Sequence, residues 1–183
     1  MRFQEHYESP QFRGKYFSRR EYKKWYRAQR GQFSYFADWS GFNIPSSMLE
    51  PFADGRFKRL SRRERTLMQA FEDKDGLFYI IGTYKTDSPS TLNHEISHGM
   101  FFINEKYRQE VLAELDKVDL GPIEKYLAST GGYHPSVWRD EAQAYLINNR
   151  DTLEHHGIDL GPYLATMGRL QDIFRRYTGL RPY

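Results

Sequence analysis

The distribution of apolar and polar residues, divided by glycine and proline, predicts a mostly helical chain. Ser18 with Glu21, and Ser61 with Glu64, show the Ser-x-x-Glu pattern that is typical of a helix N-terminus. Pro89 and Pro135 stand where proline is favoured, in the first turn of a helix. Helices are predicted at residues 18–29, 61–72, 89–104, 105–118, 123–128, 135–150 and 162–177, and the fourth of these follows the third directly or continues it.

One segment has the composition of a β-strand. Residues 76–84 are rich in β-branched and aromatic side chains and are bounded by Gly76 and an Asp-Ser-Pro turn. Residues 40–47 contain Gly, Asn, Pro and three Ser, and we interpret them as a turn-rich link. The predicted fold class is therefore α+β, with a small sheet that precedes the helix at 89–104. The 183 residues fit a single domain, with an N-terminal segment at 1–40 and a core at 75–150.

Two histidines on the third predicted helix have the spacing of metal ligands. His94 and His98 are four residues apart, so both imidazoles can point at one ion. Glu95 is rotated by about a hundred degrees around the axis from His94. It cannot easily join them as a ligand, but it can reach a metal-bound water and act as a general base. Four apolar residues are expected to anchor this helix in the core: Leu92, Ile96, Met100 and Ile103.

The His-Glu-x-x-His sequence at residues 94–98 resembles the metal-binding helix of the zincin metalloproteases. The resemblance covers about thirty residues. It implies a zincin-like domain, a Zn²⁺ cofactor, a helix-borne base and an edge strand at 77–84 that lines the cleft for a peptide or protein substrate. Phe101 and Asn104 stand where metzincins have glycine and a third histidine, and the cysteine ligand of peptide deformylases has no counterpart here. The pattern is most similar to gluzincins, whose third ligand is a glutamate on a later helix.

Glu141 is the residue that matches this third ligand. A catalytic zinc site has three protein ligands and an open position for water. Glu141 lies in the middle of an apolar face of the helix at 135–150, where a carboxylate is costly without a partner. Its neighbour Asp140 falls on the flank, as a solvated residue or one that hydrogen-bonds a ligand histidine. Weaker candidates for the third ligand are Glu110, Glu114 and His134.

The supporting roles are less sharply defined by the sequence. A zincin needs a donor that stabilises the oxyanion, and Tyr133, His134 and Tyr145 lie near Glu141 in sequence. The Gly131-Gly132 pair would let their loop move. Asn93 and Asp140 are expected to orient the ligand histidines through hydrogen bonds. The adjacent His155 and His156 cannot face one another on a helix and are expected on a surface loop.

The N-terminal segment is strongly basic and aromatic. Residues 1–66 carry 15 Lys and Arg against 7 Asp and Glu, although the whole chain has a net charge of only +3. We interpret residues 18–29 as an amphipathic helix whose rings dock on the domain while its cations face water. The alternative is a site for single-stranded nucleic acid, in which the same cations and rings would bind phosphates and stack on bases. Under that alternative, the metal site is structural or degenerate, and the protein binds nucleic acid or a protein partner.

Composition excludes several classes of protein. The chain has no cysteine, so disulfide scaffolds, cysteine zinc fingers and cysteine nucleophiles are excluded, and any transition-metal site must use His, Asp or Glu. No apolar run has the length of a membrane span, and no apolar segment of a signal peptide follows Met1. The expected protein is a cytoplasmic zinc-dependent hydrolase, and within that class a metallopeptidase. Neither its cleavage specificity nor its oligomeric state follows from the sequence.

Overall fold

The protein is described by a computed structural model that covers residues 11–38, 41–57, 59–83, 89–130 and 133–182. The predicted α+β class is confirmed, with helices predominating over one small sheet. None of the described helices combines the length and the apolar character needed to cross a membrane. The two strands are β1 (Gly41–Pro45) and β2 (Tyr79–Thr83), and the helices within the described residues are α1 (Arg19–Arg30), α2 (Tyr35–Asp38), α3 (Glu50–Ala53), α4 (Arg62–Ala70), α5 (Pro89–Ile103), α6 (Glu105–Leu115), α7 (Gly121–Thr130), α8 (Trp138–Asn148), α9 (Arg150–His155) and α10 (Leu164–Thr178).

Capping residues define several helix ends. The two predicted capping boxes are confirmed, because Ser18 and Ser61 each exchange hydrogen bonds with the glutamate three residues later. The side chain of Asn104 accepts a hydrogen bond from the backbone N–H of Tyr107 at 3.0 Å and so starts α6 as a helix separate from α5. The Asp-Ser-Pro turn before α5 lies partly outside the described residues, which resume at Pro89.

The sheet pairs β1 with β2 in an antiparallel register that joins Gly41 to Thr83 and Pro45 to Tyr79. The interpretation of residues 40–47 as a link is therefore wrong for Gly41–Pro45. Glycine, asparagine and proline are all depleted in strands, so the segment carries no local strand signal and becomes extended by pairing with β2. The ring of Phe42 lies across Gly82, so closely that any side chain at position 82 would collide with it.

The main core lies among α5, α6, α7, α8 and α10. Helix α5 packs against α8, α6 and both strands, and this places it between the sheet and the helical core. Ile96 and Met100 pack against the core as predicted, but Leu92 and Ile103 are 44% and 45% exposed. The anchor predicted for those two residues is wrong, because α5 turns a polar face inward. That face is made of Asn93, Glu95, Ser97 and His98.

A second, smaller cluster of buried rings involves α1. Phe12, Phe17, Tyr22 and Tyr26 bury one another, and Trp25, Phe33 and Tyr35 pack around them. All of these rings come from residues 12–35, and among the described residues they form a cluster separate from the main core. The docking of the α1 rings on the rest of the domain, expected from the sequence, stays a prediction. Aromatic rings pack well edge to face, and this short segment contains enough of them to form a local core.

Candidate metal centre

Helices α5 and α8 bring together the three residues that the sequence indicated as metal ligands. The Nε2 atoms of His94 and His98 are 3.1 Å apart. The Oε2 atom of Glu141 lies 3.8 Å from His94 Nε2 and 3.7 Å from His98 Nε2. All three side chains are mostly shielded from solvent, with His98 the most buried at 3% exposed. Three ligand atoms of the types that zinc prefers therefore converge on one point.

The separations among these atoms are close to those of a tetrahedral zinc site. Ligands about 2.0–2.1 Å from a tetrahedral ion are about 3.3 Å from one another. The histidine pair is slightly closer than this and the carboxylate is slightly farther away. Small side-chain adjustments, without movement of α5 or α8, would let all three atoms reach a common ion. Among the described residues, this is the group of His, Asp and Glu side chains whose geometry could hold a metal ion.

The other ring nitrogen of each histidine is held by a neighbour on or just after α8. His94 Nδ1 lies 2.7 Å from Asn149 Oδ1, and His98 Nδ1 lies 2.9 Å from Asp140 Oδ1. Each oxygen can accept a hydrogen bond from the Nδ1–H group, which leaves Nε2 turned toward the centre. The orienting role expected for Asp140 matches this contact. Asn93 does not take that role, since its amide donates to the carbonyl of Arg181 at 2.7 Å.

A further layer of buried polar groups supports Asp140. Gln143 Nε2 donates to Asp140 Oδ1 at 3.1 Å, and the hydroxyl of Tyr107 donates to Gln143 Oε1 at 3.0 Å. Gln143 and Tyr107 are fully buried, so these bonds satisfy groups that water cannot reach. The chain Tyr107–Gln143–Asp140 thus runs from α6 through α8 to the imidazole of His98.

Glu95 lies beside the three ligand atoms without being one of them. Its Oε2 atom accepts a hydrogen bond from Asn43 Nδ2 on β1 at 2.7 Å, and the residue is 8% exposed. Its charge contributes to raising the pKa of His98 and of Tyr79, so the carboxylate interacts electrostatically with both groups. The strand that sequence analysis missed therefore supplies the residue that positions the candidate base.

Opposite protonation states are favoured at the two histidines when no metal is bound. Burial and the neighbouring His98 lower the pKa of His94 to about 3. Burial alone would also lower the pKa of His98, but the carboxylates of Asp140 and Glu141 outweigh it and raise the pKa to about 10. A protonated His98 then donates from Nε2 to the neutral Nε2 of His94. A metal ion would occupy the place of that shared proton.

The three candidates for oxyanion stabilisation lie in different surroundings. The ring of Tyr145 is 5.0 Å from that of His94, and its hydroxyl interacts with Tyr126 and Tyr133. Burial raises the pKa of Tyr145, with help from Tyr126 and Glu141. His134 lies at the start of a short 3-10 turn, where its Nδ1 atom is 2.8 Å from Ser136 Oγ. Tyr133 contacts Tyr145 through its side chain and accepts a hydrogen bond from Trp138 Nε1 at its backbone oxygen. Tyr145 is thus a candidate whose ring contacts that of a ligand histidine, and the proposed Gly131-Gly132 hinge lies outside the described residues.

Tyr79 is a residue near the centre that sequence analysis did not single out. Tyr79 is the first residue of β2, and its ring packs against Gly99, one residue after His98. A side-chain carbon added at Gly99 would lie 3.3 Å from this ring. Burial raises the pKa of its hydroxyl, and the charges of Asp140, Glu95 and Glu141 raise it further. The hydroxyl therefore stays protonated and interacts electrostatically with all three carboxylates. The sequence could have indicated Tyr79, because it lies on the strand that was expected to line the substrate cleft.

The weaker metal-ligand candidates are engaged elsewhere. Glu114 forms ion pairs with Lys117 and Arg169, and Glu110 with Arg176, on the surface shared by α6 and α10. Those pairs lower the pKa of Glu114 and, together with the Tyr177 hydroxyl, that of Glu110. His155 and His156 are exposed, as expected, but the predicted loop is wrong for His155, which is the last residue of α9.

Comparisons with protein-family models, with curated proteins and with solved structures found no match to this chain. The function must therefore be argued from the side chains themselves.

Proposed function

We propose that this protein is a zinc-dependent hydrolase and, within that class, a metallopeptidase. One observation carries the proposal: the Nε2 atoms of His94 and His98 and a carboxylate oxygen of Glu141 converge within hydrogen-bonding or near-bonding distances, with Glu95 beside them. Two histidines and one glutamate leave a tetrahedral ion one open position, which is the arrangement of catalytic rather than structural zinc.

The donor set and its surroundings suit zinc chemistry. Bound zinc would polarise the carbonyl of a substrate and lower the pKa of a water at the open position. Glu95 would accept the proton of the attacking water at its carboxylate and pass it to the leaving amine. The amide of Asn43 would hold that carboxylate in place, since it donates to Glu95 Oε2 at 2.7 Å. Asp140 and Asn149 would keep the two imidazoles oriented.

Two side chains are candidates for the donor that stabilises the oxyanion. The hydroxyl of Tyr79 stays protonated and interacts electrostatically with the carboxylates of the site, and the ring of Tyr145 contacts that of His94. The phenol of Tyr145 already interacts with Tyr126 and Tyr133, which favours Tyr79 for this role. Tyr79→Phe would then reduce kcat more than it raises KM, while the metal content stays the same.

The test of the proposed function is the Glu95→Gln variant. Removal of a base that is not a ligand should leave zinc content and Tm nearly unchanged, while hydrolysis of a peptide or casein substrate should fall by a factor on the order of a hundred to ten thousand. Glu72→Gln, at an exposed position outside the site, is the matched control and should behave as the wild type. Loss of zinc from Glu95→Gln would show that Glu95 is a ligand, and unchanged hydrolysis would exclude it as the base.

Chelation distinguishes a catalytic from a structural metal. A catalytic ion sits on a preformed scaffold, so removing it with a chelator should abolish activity and leave the helical signal in circular dichroism largely intact. Loss of the fold on chelation would instead support the alternative of a structural or degenerate site. The cytoplasmic location expected from the sequence stays a prediction, which fractionation of expressing cells would test.

A further inference from the structure

All the cations of α1 lie on one side of the helix. At about 100° per residue, they fall within an arc of about 140° that contains no acidic and no apolar side chain. Glu21 lies outside this arc, as do the buried Tyr22 and Tyr26. We call this surface the basic face, and it consists of Arg19, Arg20, Lys23, Lys24, Arg27 and Arg30.

Most of these cations have no counterion in the described part of the chain. Lys23 is half-buried, with its ammonium 4.9 Å from the centre of the Phe33 ring. The other five are exposed, and none forms an ion pair with a described residue. Arginines of the helices near the metal centre differ from them, since Arg139, Arg150, Arg169, Arg175 and Arg176 each pair with a carboxylate.

The basic face destabilises its own helix. Arg20 and Lys24 are four residues apart, as are Lys23 and Arg27, and like charges at this spacing repel each other. A solvated helix that served only to bury its rings would gain stability from alternating charges. An anion bound across the basic face would remove the repulsion between these cations.

The rest of α1 limits what kind of anion fits. An amphipathic helix that binds membranes inserts its apolar side, but Tyr22 and Tyr26 are already buried in the local core. A protein partner would find no apolar centre for an interface on the basic face. Stacking of single-stranded bases needs accessible rings. Tyr22 and Tyr26 are buried in the local core and Trp25 is half-buried against it. The exposed Tyr16 already stacks on Phe57. A backbone of regularly spaced phosphates needs only cations.

We propose that the basic face of α1 binds the phosphate backbone of double-stranded nucleic acid without reading its sequence. The helix is about 18 Å long, which is enough to contact several successive phosphates. This site involves neither α5 nor α8 and does not depend on the proposed hydrolase activity.

The first measurement uses the intact protein and a short mixed-sequence DNA duplex. If five phosphates are contacted, the logarithm of the binding constant should fall with the logarithm of salt concentration with a slope of about −4.5. No detectable binding at about 0.1 M salt, or a slope shallower than about −2, would overturn the proposal. Because this experiment needs no substitution, it stands even if a variant of α1 fails to fold.

The second measurement uses the Arg20→Gln, Lys24→Gln, Arg27→Gln triple variant. Glutamine preserves helix propensity, so α1 should persist, as near-ultraviolet circular dichroism of its rings would check. The slope should become shallower by about 2 to 3, and affinity at about 0.1 M salt should fall on the order of a hundredfold. The matched control removes the same charge from exposed positions elsewhere: Lys74→Gln, Lys106→Gln and Lys125→Gln.

Equal affinity of the triple variant and its control would contradict the assignment to the basic face. Vesicles containing anionic lipid, and poly-glutamate as a substitute for an acidic protein, complete the set of probes. The duplex should bind more tightly than either at the same salt concentration. Tighter binding of vesicles would identify an anionic membrane surface as the partner instead of nucleic acid. Tighter binding of poly-glutamate would identify an acidic protein instead. Zinc content should be the same in all variants, whichever partner is found.

Discussion

The candidate metal centre and the basic face differ in whether their charged groups have partners within the protein. At the metal centre, Asp140 and Asn149 each contact an imidazole nitrogen, and Glu95 accepts a hydrogen bond from Asn43. On α1, five exposed cations have no ion-pair partner among the described residues. Buried charge must be satisfied inside the protein because water cannot reach it, whereas exposed charge is solvated and remains available to a ligand. The first arrangement suits the small ion proposed for it, and the second leaves the basic face accessible to the large anion proposed to bind there.

The largest effect is expected from removing either histidine ligand. His94→Ala and His98→Ala each delete one of three protein ligands, so zinc content after dialysis should fall from about one ion per chain to near zero. Elemental analysis measures it directly. His155→Ala, in which an exposed histidine outside the site is lost, is the control and should retain zinc. Full zinc content in both ligand variants would refute the proposed centre.

The next effect separates two neighbours on α8. Glu141→Ala removes a ligand oxygen and should weaken zinc binding by well over a hundredfold, measured by competition with a chelator. Asp140→Ala removes the partner of His98 Nδ1, and such losses typically cost about ten- to a hundredfold. A greater loss in Asp140→Ala would mean that α8 presents the other carboxylate to the metal. If neither substitution mattered, the third ligand would have to come from another residue.

A smaller effect is expected one layer farther from the metal. Gln143→Leu would leave the Tyr107 hydroxyl and one side of Asp140 without their hydrogen-bond partner. The cost in folding stability should be about 1–3 kcal/mol, since both groups are buried or partly buried. Chemical denaturation measures it, with the exposed Gln109→Leu on α6 as the control. A loss of stability no larger than in the control would show that the chain Tyr107–Gln143–Asp140 adds nothing to the buried site.

The smallest effect concerns the stability of the basic face itself. In the absence of nucleic acid, the triple glutamine variant should melt at the same temperature as the wild type or a few degrees higher at low salt, because repulsion between neighbouring cations is removed. The difference should disappear at high salt, where the repulsion is screened. A pronounced fall in Tm at low salt would show that these cations stabilise α1, contrary to the comparison drawn above.

The more successful predictions concern contacts between residues close together in sequence. The capping boxes at Ser18 and Ser61 depend on contacts three residues apart, and the structure contains both. The convergence of His94 and His98 follows from one turn of helix. The partners of these groups come from distant segments, and there the predictions failed or were missing. Asn43 was assigned to a link and Asn149 was not considered, although they contact Glu95 and His94.

The sequence by itself determined the helix that carries His94, Glu95 and His98, because helical geometry fixes the relative directions of residues one turn apart. It also favoured Glu141 over Asp140 as the carboxylate nearest both Nε2 atoms, because adjacent side chains on a helix diverge by about 100°. Tertiary structure decided what those faces meet. The pairing of β1 with β2 brought Asn43 to Glu95, and the packing of α6 on α8 brought Tyr107 to Gln143. It also left the rings of α1 buried against one another rather than against the main core. Such contacts depend on the packing of whole elements, and no local pattern of residues specifies them.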